Sequence, residues 1–133
     1  LQKTYMLDVI YVDVDQLAKA RALVEVVSVQ NRYNVADRSS DPVLAVCEQN
    51  GIAFIPWSPL SQNPRDAGDE NRKALEAVAA KRGISVPQAA LAWLLARSPV
   101  MLPIPGTSKR AHLEENVAAA AVHLTADEMR EIG

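Results

Sequence analysis

Polar residues gather just beyond the ends of three apolar runs in this sequence. Gln30, Asn31 and Arg32 follow VVSV, Trp57 and Ser58 follow AFIP, and Gly106, Thr107, Ser108, Lys109 and Arg110 follow LPIP. In parallel α/β folds the C-terminal ends of the strands face the ligand, so residues of this kind are candidates to hold one. Gln30 stands where a strand delivers a side chain into a site. A helix expected from Ser108 to Ala121 puts Lys109 and Arg110 in its first turn, where the helix dipole disfavours cations. An anion such as a phosphate, held by the free amides of that turn, would reverse the penalty. Gly106 would permit close approach, and Thr107 and Ser108 would donate hydroxyls. The alternative is a solvated helix start in which the basic residues pair with Glu114 or Glu115. Trp57, in IPWSPL, projects from a loop stiffened by Pro59, so its ring either stacks on a planar ligand or plugs the mouth of a barrel.

Other chemistries lack their residues. His112 and His123 have no further histidine or carboxylate at short ligand spacing, which speaks against a metal site. Cys47 is the single cysteine, so a disulfide framework and a cysteine-rich zinc site are both excluded, and a reducing, cytoplasmic setting fits. Three residues after Leu44 it falls at a core position, and Trp93, inside an apolar helix, is also core. The sequence has no G-x-S-x-G elbow of a serine hydrolase, and neither the G-x-G-x-x-G nor the G-K-[ST] of the common nucleotide folds.

The elements that must position these residues follow from short-range signals. Asp13 and Gln16, and Ser85 and Gln88, have capping-box spacing, and Thr125 opens a third such box in TADE. Asn50-Gly51 and Arg82-Gly83 stop two helices where glycine takes a left-handed conformation freely. VVSVQ, AFIP and VMLPIP read as buried strands because their apolar residues run on without alternation. The resulting order is helix, strand, helix, strand, two helices, strand, helix, which indicates right-handed crossovers and a parallel sheet. The 133 residues, 49% hydrophobic and 23% charged, suffice for one globular domain with a core. A net charge of -2 without like-charge blocks gives no footprint for nucleic acid or a membrane surface. No apolar run is long enough to cross a bilayer. A start at Leu1 rather than Met suggests a piece of something larger.

The strings VVSVQNRYN, GIAFIPWSPL, PQAALAWLL and MLPIPGTSKRAHLEENVAAA, in this order, resemble the C-terminal half of the aldo-keto reductase family, in particular its bacterial oxidoreductases. The resemblance implies a parallel (β/α) half-barrel, the C-terminal half of a TIM (β/α)8 barrel, holding its sixth, seventh and eighth strands. It covers residues 13–133, with residues 1–12 departing from the family. It also implies cofactor roles: Gln30 on the nicotinamide carboxamide, Trp57 stacked on the nicotinamide ring, and Ser58 and Leu60 beside the pyrophosphate. Gly106, Thr107, Ser108 and Lys109 would surround the adenosine 2'-phosphate, and His112, Glu115 and Asn116 the adenosine. NADPH is then expected over NADH, with an aldehyde or ketone as substrate of the full-length family.

The departures from the family matter as much. Its catalytic aspartate, tyrosine, lysine and histidine come from the first half of the barrel, which has no counterpart here, and Tyr5, Tyr11 and Tyr33 lie outside the required context. Where the family has Ser-Asn or Ser-Glu at a strand end, this chain has Ile10 and Tyr11 in LDVIYV. No turnover by the chain alone is expected. The alternative is a non-catalytic binding or assembly module with relic cofactor residues. A half-barrel leaves strand edges and a sheet face uncovered, so a homo-oligomer or association with the missing half-barrel is expected.

Overall fold

The computed structural model describes residues 6–60 and 69–133. Three parallel strands, β1 (Met6–Ile10), β2 (Glu25–Arg32) and β3 (Ala53–Trp57), pair in that order. The crossovers are α1 (Val14–Leu23) and α2 (Asp41–Asn50), and β3 is followed by α3 (Glu70–Arg82), α4 (Val86–Arg97), α5 (Arg110–Ala118) and α6 (Ala126–Ile132). This is a partial (β/α) barrel.

Every helix but α5 starts or stops where a short-range signal lies. Reciprocal capping boxes form at Asp13 with Gln16, Ser85 with Gln88, and Thr125 with Glu128. Gly51 and Gly83 end α2 and α3 at φ 64°, a left-handed conformation that would strain any other L-residue. Ser40 occupies the cap position of α2, but its hydroxyl makes no bond to that helix and accepts instead from Asn31 at 3.2 Å.

Strand register separates the two faces of the sheet. Val9, Val29 and Phe54 lie in one cross-strand row, and Asn31 pairs with Pro56 in the next row on the same face. This face packs against the helices: Val29 and Phe54 are fully buried together with Leu44, Cys47, Leu75, Val78 and Leu94. The other face carries the rows Asp8–Ser28–Ala53, Ile10–Gln30–Ile55 and Arg32–Trp57. β2 therefore alternates, in contrast to its reading as an unbroken buried run, because Ser28, Gln30 and Arg32 all point away from the helices.

LDVIYV, which departs from the family at Ile10 and Tyr11, supplies β1, paired parallel to β2; residues 1–5 lie outside the described residues. The structure corrects two further expectations. VMLPIP is reduced to one parallel bridge between Phe54 and Met101, closed by Phe54 N–H donating to Val100 and Leu102 N–H donating to Phe54, each 2.8 Å. Pro103 and Pro105 have no N–H to extend the ladder. The last long helix begins at Arg110, not Ser108, and gives way after Ala118 to a 3-10 turn over Ala119–Ala121.

Around Tyr33 a polar hub ties the end of β2 to the helices. Tyr33 stacks on Trp93 at 6.0 Å and meets Phe54 edge-on at 5.6 Å. Its hydroxyl donates to Asp41 at 2.6 Å, and Arg97 donates to the same carboxylate oxygen at 3.0 Å. Burial first, and then the Asp41 carboxylate, push the Tyr33 phenol far above its ordinary pKa. Arg38 lies 4.7 Å over the Trp93 ring and donates to the carbonyls of Ile132 and Gly133 at the end of α6.

Candidate functional site

The run Gln30-Asn31-Arg32-Tyr33-Asn34 puts alternate side chains to alternate uses. Gln30 and Arg32 point to the open face, while Asn31 and Tyr33 turn toward the helices. Asn31 is buried and clamps Val12 from both sides: its oxygen accepts from the Val12 amide at 3.0 Å and its nitrogen donates to the Val12 carbonyl at 2.7 Å. The half-buried Gln30 side chain makes no hydrogen bond among the described residues. Arg32 donates to Asp37 at 2.6 Å and lies 5.9 Å from the centroid of the Trp57 ring. Burial works to raise the Asp37 carboxyl, but bonds from Ser39 and the Arg32 charge outweigh it and hold the group below the usual carboxylate value.

Two residues beyond the strand, Asn34 is fully buried and organises the next loop. Its oxygen accepts from the amides of Ala36 and Asp37, both at 2.9 Å, and its nitrogen donates to the Ser58 carbonyl at 3.0 Å. Tyr33 N–H donates to the Trp57 carbonyl at 3.3 Å. The backbone is thus held on both sides of the Trp57–Ser58 peptide, and Ser58 sits at φ 55°, unusual for a residue other than glycine. Neither asparagine stood out in the sequence as a positioning residue, since Val12 and Ser58, the partners that tie them to other loops, lie 19 and 24 positions away.

Three clefts adjoin along the strand ends and α5. The first, of about 230 Å³, lies between Ser58, Pro59, Leu60, Ile104, Pro105 and Gly106. The second, of about 190 Å³, is lined by Leu60, Pro87, Gly106, Thr107, His112, Glu115 and Asn116. The third, of about 160 Å³, is lined by Thr107, Ser108, Lys109, Arg110 and Leu113. Leu60 and Gly106 are shared by the first two clefts and Thr107 by the last two, so nine of the eleven candidate residues meet on one continuous groove. Gln30 and Trp57 stand apart on the open sheet face, Trp57 directly before Ser58. A side chain at Gly106 would meet nothing within 4 Å, so the groove is open at its centre.

At the start of α5, Lys109 is the N-cap and not a first-turn residue, and the Thr107 hydroxyl accepts from its amide at 3.1 Å. Arg110 pairs with Glu114 at 2.8 Å across one helical turn, which is the solvated-helix arrangement. Gln88 ties α5 to α4 by donating to the Glu115 carbonyl at 3.4 Å. His123 lies elsewhere, between α4 and the loop before α6. Among the described residues no three His, Cys, Asp or Glu side chains cluster to hold a metal, and no helix is long and apolar enough to cross a membrane.

A parallel sheet with helical crossovers and a groove at its strand ends against a helix start is the arrangement of a partial TIM barrel. The model of the Aldo/keto reductase family matches residues 9–133. An uncharacterized oxidoreductase of Schizosaccharomyces pombe is 50% identical over 116 residues, which are 87% of this chain and 37% of that protein. Pyridoxine 4-dehydrogenase of Escherichia coli is 46% identical over 111 residues, 83% of this chain and 37% of that one. Among solved structures, the aldo-keto reductase Tm1743 in complex with the inhibitor epalrestat superposes with a TM-score of 0.83 at 30% identity, covering 94% of this chain and 46% of its own. An aldo-keto reductase of Klebsiella pneumoniae in complex with NADP and acetate gives 0.81 at 26% identity, with 94% and 46% covered. The chain belongs to the aldo/keto reductase family, and it spans less than half the length of these relatives.

Proposed function

We propose that this chain is the cofactor-holding part of an NADPH-dependent reductase of aldehydes or ketones, working in the cytoplasm. The continuous groove from Ser58 to Lys109 carries the reading. Its width and open centre suit an extended phosphate-linked ligand, and the donors along it suit anions: the Thr107 and Ser108 hydroxyls, the Lys109 ammonium and the first amides of α5. The Trp57 indole N–H is buried without an acceptor among the described residues, a second sign of a site made for something further. Gln30 would hold the carboxamide, Trp57 the ring, Ser58 and Leu60 the pyrophosphate, Lys109 the 2'-phosphate, and His112, Glu115 and Asn116 the adenosine. The dinucleotide, when bound, supplies hydride.

The described residues offer no acid to complete a carbonyl reduction. Tyr33 gives its proton to a bond with Asp41, and its raised pKa keeps it there. The chain alone therefore binds and orients without turning over carbonyls, and a partner of the first half-barrel kind would restore turnover. The Cys47 thiol, buried and pushed up to about 11, stays protonated at neutral pH. Titration with NADPH and NADH, followed by tryptophan fluorescence, tests the reading: saturable binding tighter for NADPH is expected. Absence of binding by either favours the relic module, to which Ile10 and Tyr11 at the sheet end already point.

A further inference from the structure

Tyr11 lies against the ring on which that reading depends. Its ring centroid is 5.5 Å from that of Trp57, with the planes tilted by 60°. A flat ligand ring slipped between two aromatic rings needs two contact gaps of about 3.5 Å each, hence centroids about 7 Å apart. The observed spacing does not admit one. We propose that Tyr11 is a gate on Trp57, a side chain that must swing away before a planar ring can stack on the side of the indole that it occupies. The proposal rests on the reading of Trp57 as a ring platform.

The two neighbours of the indole are held very differently. Arg32 is tethered to Asp37 at 2.6 Å. Tyr11 is 67% exposed, and its hydroxyl makes no hydrogen bond among the described residues. The backbone beneath the Tyr11 ring is nevertheless fixed. Its amide donates to the Gln30 carbonyl at 3.1 Å, and the next residue, Val12, is clamped at both its amide and its carbonyl by Asn31. Tyr11 takes φ 55°, a conformation disfavoured for a residue with a Cβ. A fixed main chain with an untethered ring confines the motion to side-chain rotation, so the gate opens without disturbing β1. The closed state is also incomplete, because the buried Trp57 N–H has no acceptor among the described residues.

A gate that is closed most of the time lowers apparent affinity by the open fraction, and only for ligands that need the ring face. Tyr11→Gly removes the ring and relieves the left-handed backbone; Tyr11→Asn keeps a short side chain that tolerates the same φ. Both variants and the parent chain, labelled with 5-fluorotryptophan, would be titrated with NADPH and with adenosine 2',5'-bisphosphate, which has the phosphate end but no nicotinamide. Expected are a shift of the Trp57 fluorine resonance in both unliganded variants, NADPH binding tightened about tenfold, and unchanged affinity for the bisphosphate. An unmoved resonance, or equal NADPH affinity in parent and variants, overturns the gate and leaves the cofactor reading standing. So does tighter binding of the bisphosphate, which would mean general loosening. Failure of all three proteins to bind either ligand overturns the cofactor reading, and the gate with it.

Discussion

The side-chain amide of Asn34 donates to the carbonyl of Ser58 at 3.0 Å, joining the end of one strand's loop to the start of the next. Because the Asn34 oxygen simultaneously accepts from Ala36 and Asp37, the residue fixes its own turn and the loop that opens the groove. Asn34→Ala leaves one carbonyl and two amides to find other partners in a buried place, and should destabilise the fold by about 1–3 kcal/mol. Urea unfolding gives the number. Asn34→Asp keeps the turn but sets a carboxylate against the Ser58 carbonyl, so it should weaken NADPH binding even where the turn survives; unchanged affinity would separate Asn34 from the groove.

Glu128 accepts from Arg82 through both oxygens at 2.7 Å and from the Thr125 amide at 2.7 Å. The Arg82 bonds, and after them the Thr125 amide, hold its carboxyl down at about 2. A carboxyl depressed in the folded state stabilises the fold above its unfolded value, near 4.5, and loses that contribution as pH falls toward 2. Stability from this pair should therefore be level from neutrality to about pH 5 and decline below it. Glu128→Gln retains a capping-box residue and removes the charge; chemical denaturation across that range should show a shallower acid decline.

Lys109 and Arg110 are not equivalent. Arg110 is already paired with Glu114, whereas Lys109 stands at the cap beside Thr107 and Ser108. Lys109→Ala should erase most of a preference for NADPH over NADH, equivalent to about 1.5–3 kcal/mol for a charge-assisted contact at full strength and less at an exposed position. Arg110→Ala should change it little. Direct titration of both variants with both cofactors decides; an effect confined to Arg110 would contradict the assignment.

Ile10, Leu102 and Ile104 are 54%, 54% and 45% exposed, and the outer edge of β1 pairs with no strand among the described residues. Open edges and uncovered apolar side chains favour association. The isolated chain should self-associate, most simply as a two-fold dimer with its open sheet faces together. Sedimentation equilibrium at micromolar concentration checks this, and a folded, strictly monomeric chain would refute it.

The starts of α1, α4 and α6 were legible in the residues alone, since a cap at Asp13, Ser85 or Thr125 and its partner lie three positions apart and need no tertiary context; α5, without such a cap, was placed two residues early. Ser58, Leu60, Gly106, Thr107, His112, Glu115 and Asn116, which only the family resemblance grouped, line adjoining clefts because the loops at the strand ends lie beside α5. The strand over VMLPIP was overread: apolar content was counted, while the missing N–H of alternate prolines decides whether a ladder can extend.

By itself, then, the sequence determined the family, the parallel α/β order and the ends of the helices that carry a cap or a glycine stop, all of which rest on residue type and short spacing. Only the tertiary structure decided what the polar residues at the strand ends do. Asn31 meets Val12 across 19 positions, and Asn34 meets Ser58 across 24. Tyr11 and Trp57 come together from the ends of β1 and β3, on either side of β2. Register sets these contacts: in a strand with a period of two, a shift of one residue would send Asn31 to the open face and Gln30 to the core.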